Sequence, residues 1–290
     1  ALALDVQRRM RSMGCGLLDQ QATALLACRD DDGVHLRVET LGGFRLFRDG
    51  VLVDPGQWQS RRARDLFKIL LARRGRAVPR DELVQLLWPD DDSTRLNDRL
   101  NVTLSTLRAV LDPDRRLDAD HVVVSGDGAV RIDLTSLDVD VERMFRDEVE
   151  GERLRAAGRP GDALDCDRRI VAAHRGLFLE EHAYDDWAVP LREQARSAYV
   201  ASLRRLAEAA SEDGEIASVV RYLLRVLEVD AYDEPTHLRL VRGLVRAGRH
   251  GEARRAYGQY CEAMGELGIE PSPFPGGGPT TRRGPEGRAG

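Results

Sequence analysis

The chain has 290 residues and carries 44 lysines and arginines against 49 aspartates and glutamates, a net charge of −5. That length allows one to three domains with sizeable cores, and the acidic balance excludes a protein that binds nucleic acid over its whole surface. No apolar run approaches the ~18 residues that span a bilayer, no secretory leader is visible, and Cys15, Cys28, Cys166 and Cys261 lie far apart without C-x-x-C spacing. A soluble, cytoplasmic chain with reduced thiols is expected, without a structural metal or disulfide scaffold.

Residues 1–28 read as helical, with Leu17, Leu18, Leu25 and Leu26 as the clearest apolar positions, and suit the tail of an upstream domain. Asp30, Asp31, Asp32 and Gly33 form a polar linker. No G-x-x-x-x-G-K-[ST] and no G-x-G-x-x-G after a strand is present, so no nucleotide cofactor is expected. Residues 34–53 give two strand-like runs, VHLRVETL and FRLFRDGVLV, with Asp49-Gly50 as a turn.

Residues 58–111 organise the chain as three helices. Ser60 caps the first, where Ala63, Leu66, Phe67, Leu70 and Leu71 recur on one face before Gly75 closes it. Pro79 suits the first turn of a short second helix with Leu83, Leu86 and Leu87 inside, and Pro89 forbids its continuation. Asp91, Asp92 and Ser93 are capping residues for a third, in which Leu96, Leu100, Leu104, Leu107 and Leu111 form one stripe. Opposite the leucines lie Arg95, Asp98, Val102, Ser105, Thr106 and Ala109, flanked by Asn101 and Arg108 on one side and Arg99 on the other. Short polar and cationic side chains around one small apolar residue suit the major groove: Arg and Asn pair with base edges, Val touches a thymine methyl, and Ser and Thr hold phosphates. The same face also fits an ordinary solvated helix. Residues 121–124 and 129–134 are β-rich runs joined by Ser125-Gly126-Asp127-Gly128, a hairpin signal, and three helices followed by a hairpin is the order of a winged helix. Residues 58–116 hold thirteen Lys and Arg against nine Asp and Glu, a basic module inside an acidic chain.

With LGGFRLFRDG, RRARDLFKILLARRGRAVPRDELVQLLWPD and NDRLNVTLSTLRAVLDP, this half resembles the OmpR/PhoB-type winged helix of the Streptomyces antibiotic regulatory protein (SARP) family. The resemblance implies that the third helix enters the major groove through Val102, Ser105, Thr106 and Arg108 while the hairpin wing lies over the minor groove. Asp127 at the wing tip departs from the basic or neutral tip that is common in the family, and phosphates repel it; Arg131 remains within the wing to meet one.

After the LDVDV stretch at 137–141 the chain is helical by pattern and repeats itself. RLRAAGRPGDAL around Gly158 matches GLVRAGRHGEAR around Gly248, and a weaker copy surrounds Gly214, about thirty-four residues before Gly248. Helix, Gly turn, helix at this period is a tetratricopeptide-like plan, which buries each hairpin against the next and commonly binds proteins. GLFLEEHAYDDWAVPLREQARSAYVASLRRLAEAA and VLEVDAYDEPTHLRLVRGLVRAGRHGEARRAYGQYCEAMGELGIEPS are similar to the bacterial transcriptional activator domain of SARP-type regulators, with Phe178, Trp187, Arg192, Glu234, Gly248, Ala253, Tyr257, Leu267, Gly268 and Pro271 at its characteristic positions. The resemblance implies an activator that binds promoter repeats and contacts RNA polymerase.

The six histidines lack metal-ligand spacing, and no catalytic order of side chains is visible, so neither a metal site nor an enzyme is expected. His182, with Glu180, Glu181, Asp185 and Asp186, reads as a solvated helix junction, and Tyr184 and Trp187 as core packing. The fold class expected is mostly α, a winged helix-turn-helix domain with small β-sheets plus an all-α tetratricopeptide-like domain. Its parts are a helical segment and linker at 1–33, the winged helix at 34–137, the helical domain at 138–272 and a disordered tail at 273–290. Double-stranded DNA is the expected partner. Arg61, Arg62, Arg64 and Arg80 hold phosphates, the outer face of the third helix reads bases, and the helical half contacts RNA polymerase, self-associates on DNA or receives a signal from an upstream domain. Two other readings stay open: a protein-binding adaptor that has lost DNA, supported by Asp98 and Asp127 on the expected DNA side, and a regulator that senses a small ligand in the repeats.

Overall fold

The computed structural model describes residues 34–91 and 95–275. The expected helix at 1–28, the linker at 30–33, the capping positions Asp92 and Ser93 and the tail from 276 lie outside the described residues. The chain divides into two compact units: Ala1–Arg143 with Arg175–Glu193, and Met144–His174 with Gln194–Gly290.

The first unit opens with β1 (Leu36–Glu39), β2 (Arg45–Arg48) and β3 (Val51–Leu52), a meander whose turn holds Asp49 at φ 50 and Gly50 at φ 81. β1 alternates, with Leu36 and Val38 buried, and Val38 faces Leu46 across the antiparallel pair. A short strand further on, β7 (Asp138–Val139), joins the other side of β1 in parallel, giving the order β3-β2-β1-β7. The three expected helices are α1 (Arg61–Ala72), α2 (Arg80–Leu87) and α3 (Leu96–Leu111). Ser60 caps α1, its hydroxyl oxygen accepting from the Ala63 N–H at 3.3 Å, and Ala63, Leu66, Phe67, Leu70 and Leu71 are all buried. Pro79 stands just ahead of α2 instead of inside its first turn, because it ends a short strand, β4 (Val78–Pro79), that pairs with the wing. The wing itself is β5 (Val123–Gly126) and β6 (Ala129–Ile132), in the order β4-β6-β5. Phe44, Trp58 and Phe67 meet edge-on or tilted at 5.6 to 6.1 Å between ring centroids, which closes the core between the first sheet and α1.

Residues 175–193 complete this unit. Leu41 and Phe178 form an antiparallel bridge, the Gly42 N–H donates to Leu177 O (3.0 Å) and the Leu179 N–H to Thr40 O (2.8 Å). Gly42 leaves no room for a side chain, since a Cβ there would stand 3.0 Å from the Arg175 backbone. Arg192 is buried and its guanidinium donates to Phe178 O, Ala183 O and His182 O at 2.8 to 3.1 Å, tying the segment to itself. The segment then meets α1. Lys68, whose side chain is 1% exposed, forms an ion pair with Glu181 at 2.7 Å and donates to His182 Nε2 at 3.0 Å, with its ammonium 5.1 Å from the Phe44 ring centre. Because Nε2 accepts, the other ring nitrogen, Nδ1, carries the proton and donates to Asp185 at 2.7 Å. His182 therefore turns inward as an anchor, while Glu180, Glu181, Asp185 and Asp186 around it are exposed, as in the solvated junction expected. Of the two aromatics expected in the core, Trp187 is buried and Tyr184 is 99% exposed. Tyr184 lies in a polar stretch at the turn closed by the Asp185 N–H donating to His182 O, which points it to solvent. A buried carboxylate fixes the end of β1: Asp140 accepts from the Thr40 N–H, the Thr40 hydroxyl and the Leu41 N–H at 2.6 to 3.0 Å.

The second unit holds α4 (Asp140–Ala156, entering from the first unit), α5 (Pro160–Ala173), α6 (Val189–Glu212, its first residues in the first unit), α7 (Ile216–Val229), α8 (Glu234–Arg246) and α9 (His250–Glu266). The helices ending before Gly158, Gly214, Gly248 and Gly268 all stop in one way. Each glycine takes φ between 69° and 74°, and the residue after it donates its N–H five residues back: Arg159 to Leu154, Glu215 to Ala210, Arg249 to Leu244 and Ile269 to Met264, at 2.8 to 2.9 Å. This is the Schellman closure that left-handed glycine permits, and it is the physical content of the sequence repeat. Ala207, Leu223, Leu240, Val241, Leu244 and Ala253 pack into one core. Asp167, buried, is neutralised by Arg205 (2.7 Å) and Arg155 (3.3 Å). Phe274, in the stretch expected to be disordered, packs edge-on against Tyr257 at 5.2 Å, and the Ser272 N–H donates to the Tyr260 hydroxyl.

His174 stacks on Tyr199 at 3.7 Å, and burial, helped by the Arg225 charge, pushes its imidazole down to about 4 from 6.5. The unfolded chain therefore binds a proton in that window that the folded chain refuses. The stability His174 contributes is complete above pH 6.5 and is lost as pH falls towards 4. Unfolding followed by circular dichroism should show this acid-side loss, and His174→Phe, which keeps the stack, should flatten it; an unchanged profile assigns the loss elsewhere.

Candidate nucleic-acid interface

α3 buries Leu100, Thr103, Leu104, Leu107, Val110 and Leu111 and turns its opposite side to solvent. On that side Val102 is 67% exposed, and Arg95, Asp98, Asn101, Ser105 and Ala109 are exposed around it. Thr106 is half-buried and its hydroxyl donates to Val102 O at 3.0 Å, a bond that turns it back on the helix.

The flanking residues are held in distinct ways. Arg99 pairs with Asp91 and lies over the Trp88 ring, 4.8 Å from its centre, so it braces the α2–α3 connection. Arg108 lies on the flank nearer the wing, where one guanidinium nitrogen donates to Val123 O, the Ser125 hydroxyl and the Asp120 carboxylate, each at 2.9 Å. Its Nε is buried without a hydrogen-bond partner. Arg80, at the start of α2, donates its backbone N–H to Gly128 O in the wing turn (3.0 Å) and its guanidinium to Asn101 Oδ1 (2.5 Å). The wing turn, the start of α2 and the middle of α3 thereby join into one surface. Arg131 is exposed on β6 opposite Val124, and Asp127 is exposed at the tip with φ 50.

At the start of α1, Arg61 is 86% exposed and reaches only a 3.9 Å contact with Asp65, Arg62 is exposed, and Arg64 is half-buried with its Nε lacking a partner. Among the described residues no hydrogen bond or ion pair links these three to the α3 face. Sequence reasoning did not find Asp120, Ser125 or Trp88. Ser125 lay in the hairpin signal and Trp88 at the helix-ending Pro89, whereas nothing local marked Asp120. The contrast among cations is informative. Arg37, Arg45, Arg73, Arg74, Arg116 and Arg143 in this unit all pair with carboxylates, whereas Arg62, Arg95 and Arg131, like Arg76 and Arg115, have no ion pair among the described residues.

Residues 139–274 match the family model described as bacterial transcriptional activator domain, and residues 58–128 that of the transcriptional regulatory protein C-terminal domain. The chain is similar to Regulatory protein AfsR of Streptomyces coelicolor, 27% identical over 246 residues, and to that of Streptomyces griseus, 26% identical over 249. These alignments cover 84% and 82% of this chain but only 24% and 23% of the relatives, so the chain spans about a quarter of their length. Its fold is similar to that of Mycobacterium tuberculosis EmbR in a complex with a low-affinity phosphopeptide, at TM-score 0.67 and 23% identity, over 83% of this chain and 63% of the other.

A winged helix with an outward α3, followed by a helical domain that matches the transcriptional activator family, is the domain order of transcriptional regulators. In this order of matched domains the chain resembles the SARP-type regulators, which place an OmpR/PhoB-like winged helix before a bacterial transcriptional activator domain. That class agrees with the reading against an enzyme. No described helix is long and apolar enough to cross a membrane.

Proposed function

We propose that the chain activates transcription from promoters with repeated sites, reading bases through α3 and holding phosphates through arginines at the rims of the winged helix. The observation that carries this reading is the exposed α3 face centred on Val102, with Arg95 on it and Arg131 on the wing exposed and without a carboxylate partner among the described residues; Arg62 on α1 is exposed and unpaired among them in the same way. Free guanidiniums retain their full attraction for phosphate, whereas paired ones must first break a salt bridge. Arg61 adds to the set because its contact with Asp65 is long. The helical unit, by its kinship with activator domains, contacts RNA polymerase and pairs two copies on adjacent half-sites.

Affinity should fall with salt at a log–log slope of about −0.9 for each phosphate held, and Arg62→Ala or Arg131→Ala should each reduce that slope by about one while leaving base preference unchanged. A salt-independent affinity would dismiss the DNA contact. Asp127→Asn should tighten binding at low salt, since it removes a charge that phosphates repel; an adaptor that does not use DNA predicts no change. Polymerase recruitment is tested by co-migration of the chain, a promoter duplex and polymerase. Pairing is tested by the stoichiometry on one and on two half-sites.

A further inference from the structure

We propose that Arg80 and Asn101 act as one donor-only reading head that selects guanine. The inference rests on the DNA-reading role of α3 given above. Arg80 had been expected among the phosphate-holding residues. Its guanidinium donates to Asn101 Oδ1 at 2.5 Å, while its backbone N–H is fixed on Gly128 O at 3.0 Å. A guanidinium has donors and no acceptor, so the atom of Asn101 that faces it is the carbonyl oxygen and the amide nitrogen is turned away. This settles what Asn101 offers a base. An asparagine recognises adenine by accepting from N6 and donating to N7 together; Arg80 takes one of the two lone pairs of that carbonyl oxygen and sets a cation where the N6 amino group would have to approach, which disfavours adenine. What remains on the surface is the Asn101 NH2 and the unused N–H groups of Arg80, all donors. Guanine presents two acceptors, N7 and O6, on its major-groove edge, and is the base whose purine edge matches such a head. Asn101 is exposed beside Val102, on the flank of α3 nearer the wing, so the head lies at the edge of the reading face and not beneath it.

The test is selection of bound duplexes from a random pool by the full chain, by Asn101→Ala and by Arg80→Ala, each first checked for an unchanged thermal midpoint; both side chains reach the surface, so folded variants are expected. The wild-type chain should select one guanine position per half-site by about 5- to 150-fold, and Asn101→Ala should lose it. Arg80→Ala should do something else: with the carbonyl oxygen freed, that position should move from guanine towards adenine. The proposal is overturned if the position lost in Asn101→Ala is an adenine in the wild type, or if Arg80→Ala weakens all sequences alike with the same base preferences. Salt-dependent binding without any selected guanine would also overturn it while leaving the DNA-binding role intact. No binding to any duplex would remove both.

Discussion

Glu181→Ala lowers the urea midpoint of the winged-helix unit, at a cost of about 2–3 kcal/mol, and Lys68→Met in the same chain regains most of the loss. The reason is a charge inside α1. Burial pushes the Lys68 ammonium below the ordinary lysine range, against the opposing pull of Glu181. Burial also opposes ionisation of Glu181, but there the hydrogen bond and charge of Lys68 prevail and hold the carboxyl low. The asymmetry follows exposure, 1% for the Lys68 side chain and 36% for Glu181. Removing one partner of a buried pair costs ~3–5 kcal/mol, and the lower figure here reflects the solvent that reaches Glu181 and the nearby Asp65. Methionine matches the lysine stem without its charge, so the double variant needs no counter-ion. Trp58, Trp88 and Trp187, the three tryptophans of the chain, all belong to this unit, so their fluorescence follows its unfolding alone. Equal midpoints for Glu181→Ala and the parent would sink the argument.

The second large effect is at Arg108. Arg108→Ala strips the donor from Val123 O, the Ser125 hydroxyl and the exposed Asp120 carboxylate, and of these the carbonyl of buried Val123 is the one whose loss of a partner costs about 1–3 kcal/mol. Because the bonds run from α3 to β5, the wing loses its fixed position relative to α3. DNA affinity should therefore fall by a similar factor on preferred and on random duplexes, with faster amide exchange in β5. Arg108→Lys should restore little, since the lysine nitrogen sits one bond nearer the backbone than the guanidinium nitrogen that makes these bonds and falls short of the three acceptors. If the loss is confined to preferred duplexes and β5 exchange is unchanged, Arg108 reads a base directly.

What was legible in the sequence was what local chemistry determines. Ser60 sits three residues before the N–H it caps, the wing turn lies within four residues, and the recurring glycines announce their closures because each acts on its own helix end. The leucine stripe of α3 gave its outward face for the same reason. Contacts between distant residues left no such mark. Lys68 occupies a position that helical periodicity assigns to neither face with certainty, and its partners lie far along the chain, His182 being 114 residues away. Asp140 reaches Thr40 across 100 residues. Arg108 fell on the flank of the wheel, where the pattern cannot tell a base reader from a brace; the difference is made by β5.

The return of residues 175–193 to the first unit bears on how such regulators can be recombined. A chimaera cut between the wing and the helical half, at about residue 137, would pair a foreign segment with Lys68 and with the backbone at Thr40 and Gly42. The portable DNA-reading cassette is discontinuous, and an exchange of effector halves keeps its receptor for Lys68 only if the graft carries this stretch of the original chain inside the new partner.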